Sequence, residues 1–401
     1  MAQVLFAVEL RAHSTHLEQL LVAAEQLRAL GHSATFVLGD VTRADEIVGR
    51  HGFDYLQAPV WRSREPRAAL APCNYAEILQ HHGYADREGL LGMVKAWREI
   101  YRLVDPQVIL FKHAPTALLA CRGLEAVRVL YGVGFSLPPR EHPFPNFRTW
   151  ESVPRERLER SDAQVLDAMN WVLKKLRLRP LDAAHELFDV DEEFLCTFAE
   201  LDHYIARSGA SYCGPVFDRG DGAQPRWPED GAKRVYVHLA PGQRAFGAVA
   251  EMLSDAGHSV LWFAPGIREE TLREFEKPSF SFVRERVRLS VLTDRVDAAI
   301  IEGSHSPVAA ALLAGVPLAL FPLGIEQALL ARRVALLGAG TLAAPQAPVE
   351  EMRRAVISAL EEKRHADGAR AFATRYRDHA PQQALARISA RLAAHCKTAM
   401  V

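Results

Sequence analysis

The sequence predicts an α/β protein built from two doubly wound domains that face a cleft. Three observations lead there. The chain has 401 residues, more than one ordinary hydrophobic core accommodates. Its first forty residues read strand, helix, strand, a βαβ unit that implies a parallel sheet. A second series of the same kind begins after a segment dense in Gly, Pro and Asp.

Val4 to Val8 is a short continuous apolar run, as a strand buried on both faces requires. A polar turn from Glu9 to Ser14 follows. Leu17, Leu20, Leu21, Ala24 and Leu27 then recur at helical spacing, with Thr15 and Glu18 spaced as a capping box and Gly31 as the stop. Ala34 to Leu38 is the next strand. Further on, Val108 to Phe111 reads as a strand, Pro115 to Arg122 as a helix with proline in its first turn, and Val127 to Tyr131 as a strand. From Pro154 to Tyr204 the pattern is mostly helical and charged. Residues 214–233 lose all periodicity and form the expected linker. After them, Val235 to Leu239, Val260 to Phe263, Val296 to Ile301 and Val316 to Phe321 read as strands. Helices fall between them, with stops at Gly257, Gly315 and Gly338. The expected domains are residues 1–213, with a helical excursion, and 234–380. A helix in 381–401 closes the chain.

Composition excludes several classes. Lys and Arg total 48 against 49 Asp and Glu, so nothing electrostatic argues for nucleic acid or an anionic membrane as a partner. Five scattered cysteines form no zinc spacing and read as reduced thiols, which with the absence of a signal-like N-terminus suggests a cytoplasmic setting. No apolar run is long enough for a transmembrane segment.

The chemistry concentrates between Asp297 and Gly340. A buried strand runs into the polar turn Glu302-Gly303-Ser304-His305-Ser306, and a helix starts there. Its first N–H groups and its positive dipole end suit a diphosphate. One strand later Glu326-Gln327 opens another helix, a carboxylate beside an amide, able to bind a vicinal diol. Serines at a helix start and acids in a first turn also have purely structural readings.

This stretch resembles the donor motif of GT-B-fold glycosyltransferases, specifically the nucleotide-sugar-dependent family 1 and antibiotic (macrolide-type) enzymes. Gly303, Gly315-Val316-Pro317, Pro322, Glu326-Gln327 and Gly338-Ala339-Gly340 match in order and spacing. The resemblance implies two Rossmann-type domains and inverting transfer of a sugar from a UDP- or dTDP-sugar. The acceptor would be a small-molecule or lipid hydroxyl. It implies no cofactor beyond that co-substrate and no metal, and leaves a homodimer open. It places the general base at His16, with His13 as the rival. Donor binding would involve His238, Gly242, Val287, Gly303, Ser304, His305, Ser306, Glu326 and Gln327, and acceptor binding His113, Thr116 and Gly134.

Where the motif has its first histidine this chain has Glu302, and Ser304 and Ser306 stand for later glycines. His305, or a cation such as Arg244, is the expected compensation for Glu302. Two other readings fit the same residues: a degenerate GT-B protein that binds a nucleotide or a partner as a regulatory subunit, and a different two-Rossmann enzyme such as an epimerase.

Overall fold

A computed structural model describes residues 1–10, 14–62, 71–204, 207, 209–217, 222–228 and 231–398, the side chains of 14–16 and 397–398 excepted. The chain divides into two compact units. One comprises Met1–Gly214 together with Gln382–Val401, the other Pro215–Pro381.

The first unit holds six parallel strands: β1 (Gln3–Val8), β2 (Ser33–Leu38), β3 (Asp54–Gln57), β4 (Val108–Lys112), β5 (Val127–Gly132) and β6 (Glu192–Leu195). Their order is β3-β2-β1-β4-β5-β6. Helices α1 (Ser14–Ala29), α2 (Ala44–Ile47), α3 (Tyr75–Leu79), α4 (Arg87–Val104), α5 (Pro115–Ala120) and α6 (Arg155–Lys175) follow in chain order. Strands β1 and β4 are buried along almost their whole length, since helices cover both faces of such a sheet. Phe6 and Phe36 sit opposite each other in the β1–β2 register and stack at 4.8 Å.

The second unit repeats the design with β7 (Arg234–His238), β8 (Ser259–Phe263), β9 (Phe280–Val283), β10 (Ala298–Ile301), β11 (Leu318–Leu320) and β12 (Gly340–Leu342), in the order β12-β11-β10-β7-β8-β9. Its helices are α7 (Ala245–Asp255), α8 (Glu269–Phe275), α9 (His305–Leu313), α10 (Ile325–Leu336), α11 (Val349–Glu361) and α12 (Lys363–Arg375). Trp262 anchors the core: it is fully buried, packs on Phe246 at 4.6 Å, and donates from Nε1 to the Leu239 carbonyl at 3.1 Å. Helix α13 (Pro381–Thr398) closes the chain, and from Gln382 onward it belongs to the first unit.

The four glycines expected to stop helices, Gly31, Gly257, Gly315 and Gly338, all have positive φ. The expected helical block from Pro154 to Tyr204 is corrected in its second half. Glu192–Leu195 forms strand β6, hydrogen-bonded to β5, and short 3₁₀ turns flank it. Acidic residues suit this position because β6 is a sheet edge. The charged start of α6 makes a specific contact with another helix. Arg157 makes a two-pronged contact with Glu77 on α3, at 2.7 and 2.8 Å. Within the expected linker, Gly222 and Ala223 pair with residues 286–288 of the second unit.

Candidate active site

In a doubly wound sheet, ligands bind at the carboxyl ends of the strands where the strand order reverses. That point lies between β1 and β4 in the first unit and between β7 and β10 in the second.

In the first unit β1 ends at Val8 and Glu9 follows. Glu9 is 8% exposed, and its Oε2 accepts the N–H of Thr116 at 2.8 Å and of Ala117 at 3.3 Å. The carboxylate thereby caps α5, whose own preceding residue, Ala114, has no side chain for the task. Burial pushes the Glu9 carboxyl up to about 7 against the lowering pull of those bonds. The hydroxyls of Thr116, Tyr75 and Tyr84 are enclosed around this carboxyl. The N–H of Leu10 donates to the His113 carbonyl at 3.0 Å, which fastens the start of the β1–α1 loop to the end of β4. His13 lies outside the described residues. His16 is in the first turn of α1, its side chain likewise outside them.

The candidate acceptor residues have distinct placements. His113 has φ of 46° and lies among aromatic rings, with Tyr75 at 6.2 Å and Phe135 at 5.9 Å. Thr116 is fully buried behind Glu9. Gly134 is a close-approach position: a Cβ there would lie 1.9 Å from Oδ1 of Asp202. That carboxylate is itself buried and held by Arg207 (2.7 and 3.2 Å) and the Tyr212 hydroxyl (2.9 Å). Phe144, Phe147 and Phe188 extend the ring packing that Tyr75 and Phe135 make on His113.

In the second unit, His238 ends β7 opposite Ile301 of β10, and Glu302 follows Ile301. The two strand ends therefore bring an imidazole and a carboxylate together, with His238 Nδ1 3.3 Å from Glu302 Oε2. Ser304 is at the cap position of α9, yet its side chain does not cap the helix. Its hydroxyl donates instead to Glu302 Oε1 at 2.5 Å. The positive end of α9, at His305 and Ser306, is thus an anion-attracting feature at this switch point. Pro307 adds no N–H there.

Gly303 has φ of 99°, and a Cβ on it would come within 3.3 Å of the Gln327 carbonyl. This close approach brings the β10–α9 turn against the start of α10. Glu326 and Gln327 occupy the first turn of α10, both half-buried. Gln327 Oε1 accepts the Leu323 N–H at 2.7 Å, which fixes the β11–α10 loop and leaves the side-chain NH₂ as its donor. Gly242 is exposed in the turn before α7, with open space where a Cβ would be. Val287 is 2% exposed. The pairing with Ala223 uses the Arg286 carbonyl and the Arg288 N–H, so the N–H and carbonyl of Val287 lie on the opposite edge. Arg244 does not compensate Glu302: its Nη1 donates to the Gln346 carbonyl at 3.2 Å, and the group beside Glu302 is the His238 imidazole.

No protein-family model and no curated protein matches the chain. Solved structures do, along its whole length. The calicheamicin glycosyltransferase CalG4 superposes with a TM-score of 0.70 at 21% identity, covering 98% of each chain. Glycosyltransferase VinC, solved in complex with dTDP, gives 0.66 at 18%, covering 97% of this chain and all of its own. The spinosyn rhamnosyltransferase SpnG, complexed with spinosyn aglycone, gives 0.63 at 16%, over 93% and 95%. The chain has the GT-B fold. Within the GT-B fold the two switch points just described are the natural ligand positions, one in each unit. Among the described residues, no group of three or more His, Cys, Asp or Glu converges as a metal site, and no helix is long and apolar enough to cross a membrane.

Glu9 is the site-proximal residue that sequence reading missed. It looked like the first residue of an exposed turn. The available signal was its position, a carboxylate directly after a wholly apolar strand at the chain's first switch point.

Proposed function

We propose that this protein is an inverting glycosyltransferase that moves a sugar from a UDP- or dTDP-sugar to a small-molecule hydroxyl. The observation carrying the proposal is the start of α9 at the β7–β10 switch point, brought by Gly303 against the first turn of α10 with Glu326 and Gln327. The resemblance of the donor stretch and the whole-chain likeness to glycosyltransferase structures support it.

In this reading Gly303, Ser304, His305 and Ser306 hold the leaving diphosphate, with His238 and Gly242 approaching it from the end of β7. Glu326 and Gln327 orient the sugar hydroxyls. The backbone edge of Val287 meets the base. His113, Thr116 and Gly134 shape the acceptor side. His16, or else His13, takes the proton from the acceptor hydroxyl. The oxygen then attacks the anomeric carbon and the bond to the diphosphate breaks. A single displacement inverts that carbon. The helix end stabilises the charge that develops on the diphosphate, so no metal is called for.

The test is thermal unfolding of the purified protein with UDP, dTDP, GDP, ADP and CMP, with and without magnesium. A nucleotide at about 100 times its dissociation constant adds about 2.7 kcal/mol, which is readily seen. UDP or dTDP is expected to raise the melting temperature. No response to any nucleotide would overturn the proposal and favour a partner-binding role. His16→Ala should then abolish turnover while the nucleotide still binds. Full turnover in that variant would move the base to His13.

A further inference from the structure

Glu302 stands where the resemblance places a histidine, and its surroundings assign it a task. It is 8% exposed. Ser304 holds one carboxylate oxygen. The other is fully enclosed and lies 3.3 Å from Nδ1 of His238, within ion-pair distance though outside hydrogen-bond geometry. Phe263 packs on the imidazole at 4.6 Å and fixes its plane. Because the two ring nitrogens are on separate sides of an imidazole, the Glu302 contact at Nδ1 leaves Nε2 directed elsewhere. A buried lone carboxylate is costly, and it would repel a diphosphate. The same carboxylate beside an imidazolium is neutralised, and the pair keeps a donor.

We infer that Glu302 is a positioning residue for His238: it orients the imidazole and supplies the counter-charge for its imidazolium, so that Nε2–H donates to the donor diphosphate. The imidazole that the motif carries after β10 is thus delivered from the neighbouring strand β7. This rests on the donor-site reading above. The other ionisable groups on the surrounding elements are few. Tyr236 on β7 is pushed up by burial and by the charge of Glu302. His305 begins α9 and Glu326 is in the first turn of α10. Arg244, before α7, is held by Gln346. Strands β8 and β11 bring no charged side chain.

The experiment measures binding of dTDP-glucose and UDP-glucose to the full-length protein by calorimetry. Both are diphosphodiesters, whose own charge is constant through neutral pH. At about pH 7.5, Glu302→Gln and His238→Gln each weaken binding about tenfold, the difference between a charge-assisted and a neutral hydrogen bond. The double variant binds more tightly than His238→Gln alone, because the unmatched carboxylate is gone. Glu302→His weakens binding by crowding two imidazoles. The inference is overturned if Glu302→Gln weakens binding further in the His238→Gln background, or if Glu302→His tightens it, as restoring a lost site would. Should Glu302→Gln fail to fold, wild-type affinity in His238→Gln overturns it. If neither nucleotide sugar binds wild type, the donor-site reading falls, and this inference with it.

Discussion

Glu9 links burial to pH. Its carboxyl titrates near 7 in the folded chain and near the ordinary carboxylate value when unfolded. Between those values the folded chain binds the extra proton, so stability falls as pH rises through that window. Glu9→Gln keeps an oxygen for the Thr116 and Ala117 N–H groups and removes the cost. It should stabilise the protein by about 3 kcal/mol at about pH 8 and hardly at all at about pH 5, read as melting temperature. Equal shifts at both pH values would contradict the burial argument. Residues of this kind are poorly legible in sequence. A carboxylate capping a helix 107 positions away looks like any acidic turn residue. The proposed donor residues are more legible because Gly303, Glu326 and Gln327 belong to one local stretch with fixed spacing. The Glu302–His238 contact was not, since 64 residues and a strand crossover separate the partners.

Helix α9 and the turn before it make one element-scale prediction. A residue with a side chain at Gly303 would be held at φ of 99°, with its Cβ 3.3 Å from the Gln327 carbonyl. Gly303→Ala should destabilise the protein by about 1–2 kcal/mol through left-handed strain and weaken nucleotide binding by moving the α9 turn. Thermal unfolding and calorimetry check the two effects, and wild-type values for both would refute the close-approach argument. The inner strands β1, β4, β7 and β10 could be read directly because each is buried on both faces and wholly or mostly apolar. The edges could not. Asp54–Gln57 and Glu192–Leu195 mix polar and apolar residues, and β12 has three residues. Edge strands need little apolar surface, so their sequences carry little periodic signal.

At the scale of the whole chain, α13 returns the carboxyl-terminal segment to the first unit. Arg391 donates from Nε to Glu192 Oε1 at 2.8 Å, and His395 contacts the other oxygen of the same carboxylate. Leu385, Ile388 and Leu392 are buried. Leu392→Ala should cost about 2–5 kcal/mol, the usual penalty for a core leucine, and a melting temperature equal to wild type would show that α13 is not part of the core. Periodicity located this helix but not its owner, because docking depends on a partner surface far away in sequence. The return of the chain has a consequence during synthesis. The first unit draws on Met1–Gly214 and on Gln382–Val401, so its final helix is made only after all of Pro215–Pro381. At roughly 5–20 residues per second, the amino-terminal part waits some tens of seconds with the seat for α13 bare, while Pro215–Pro381 is complete and contiguous as soon as it emerges. The half that is translated first is therefore the half that matures last.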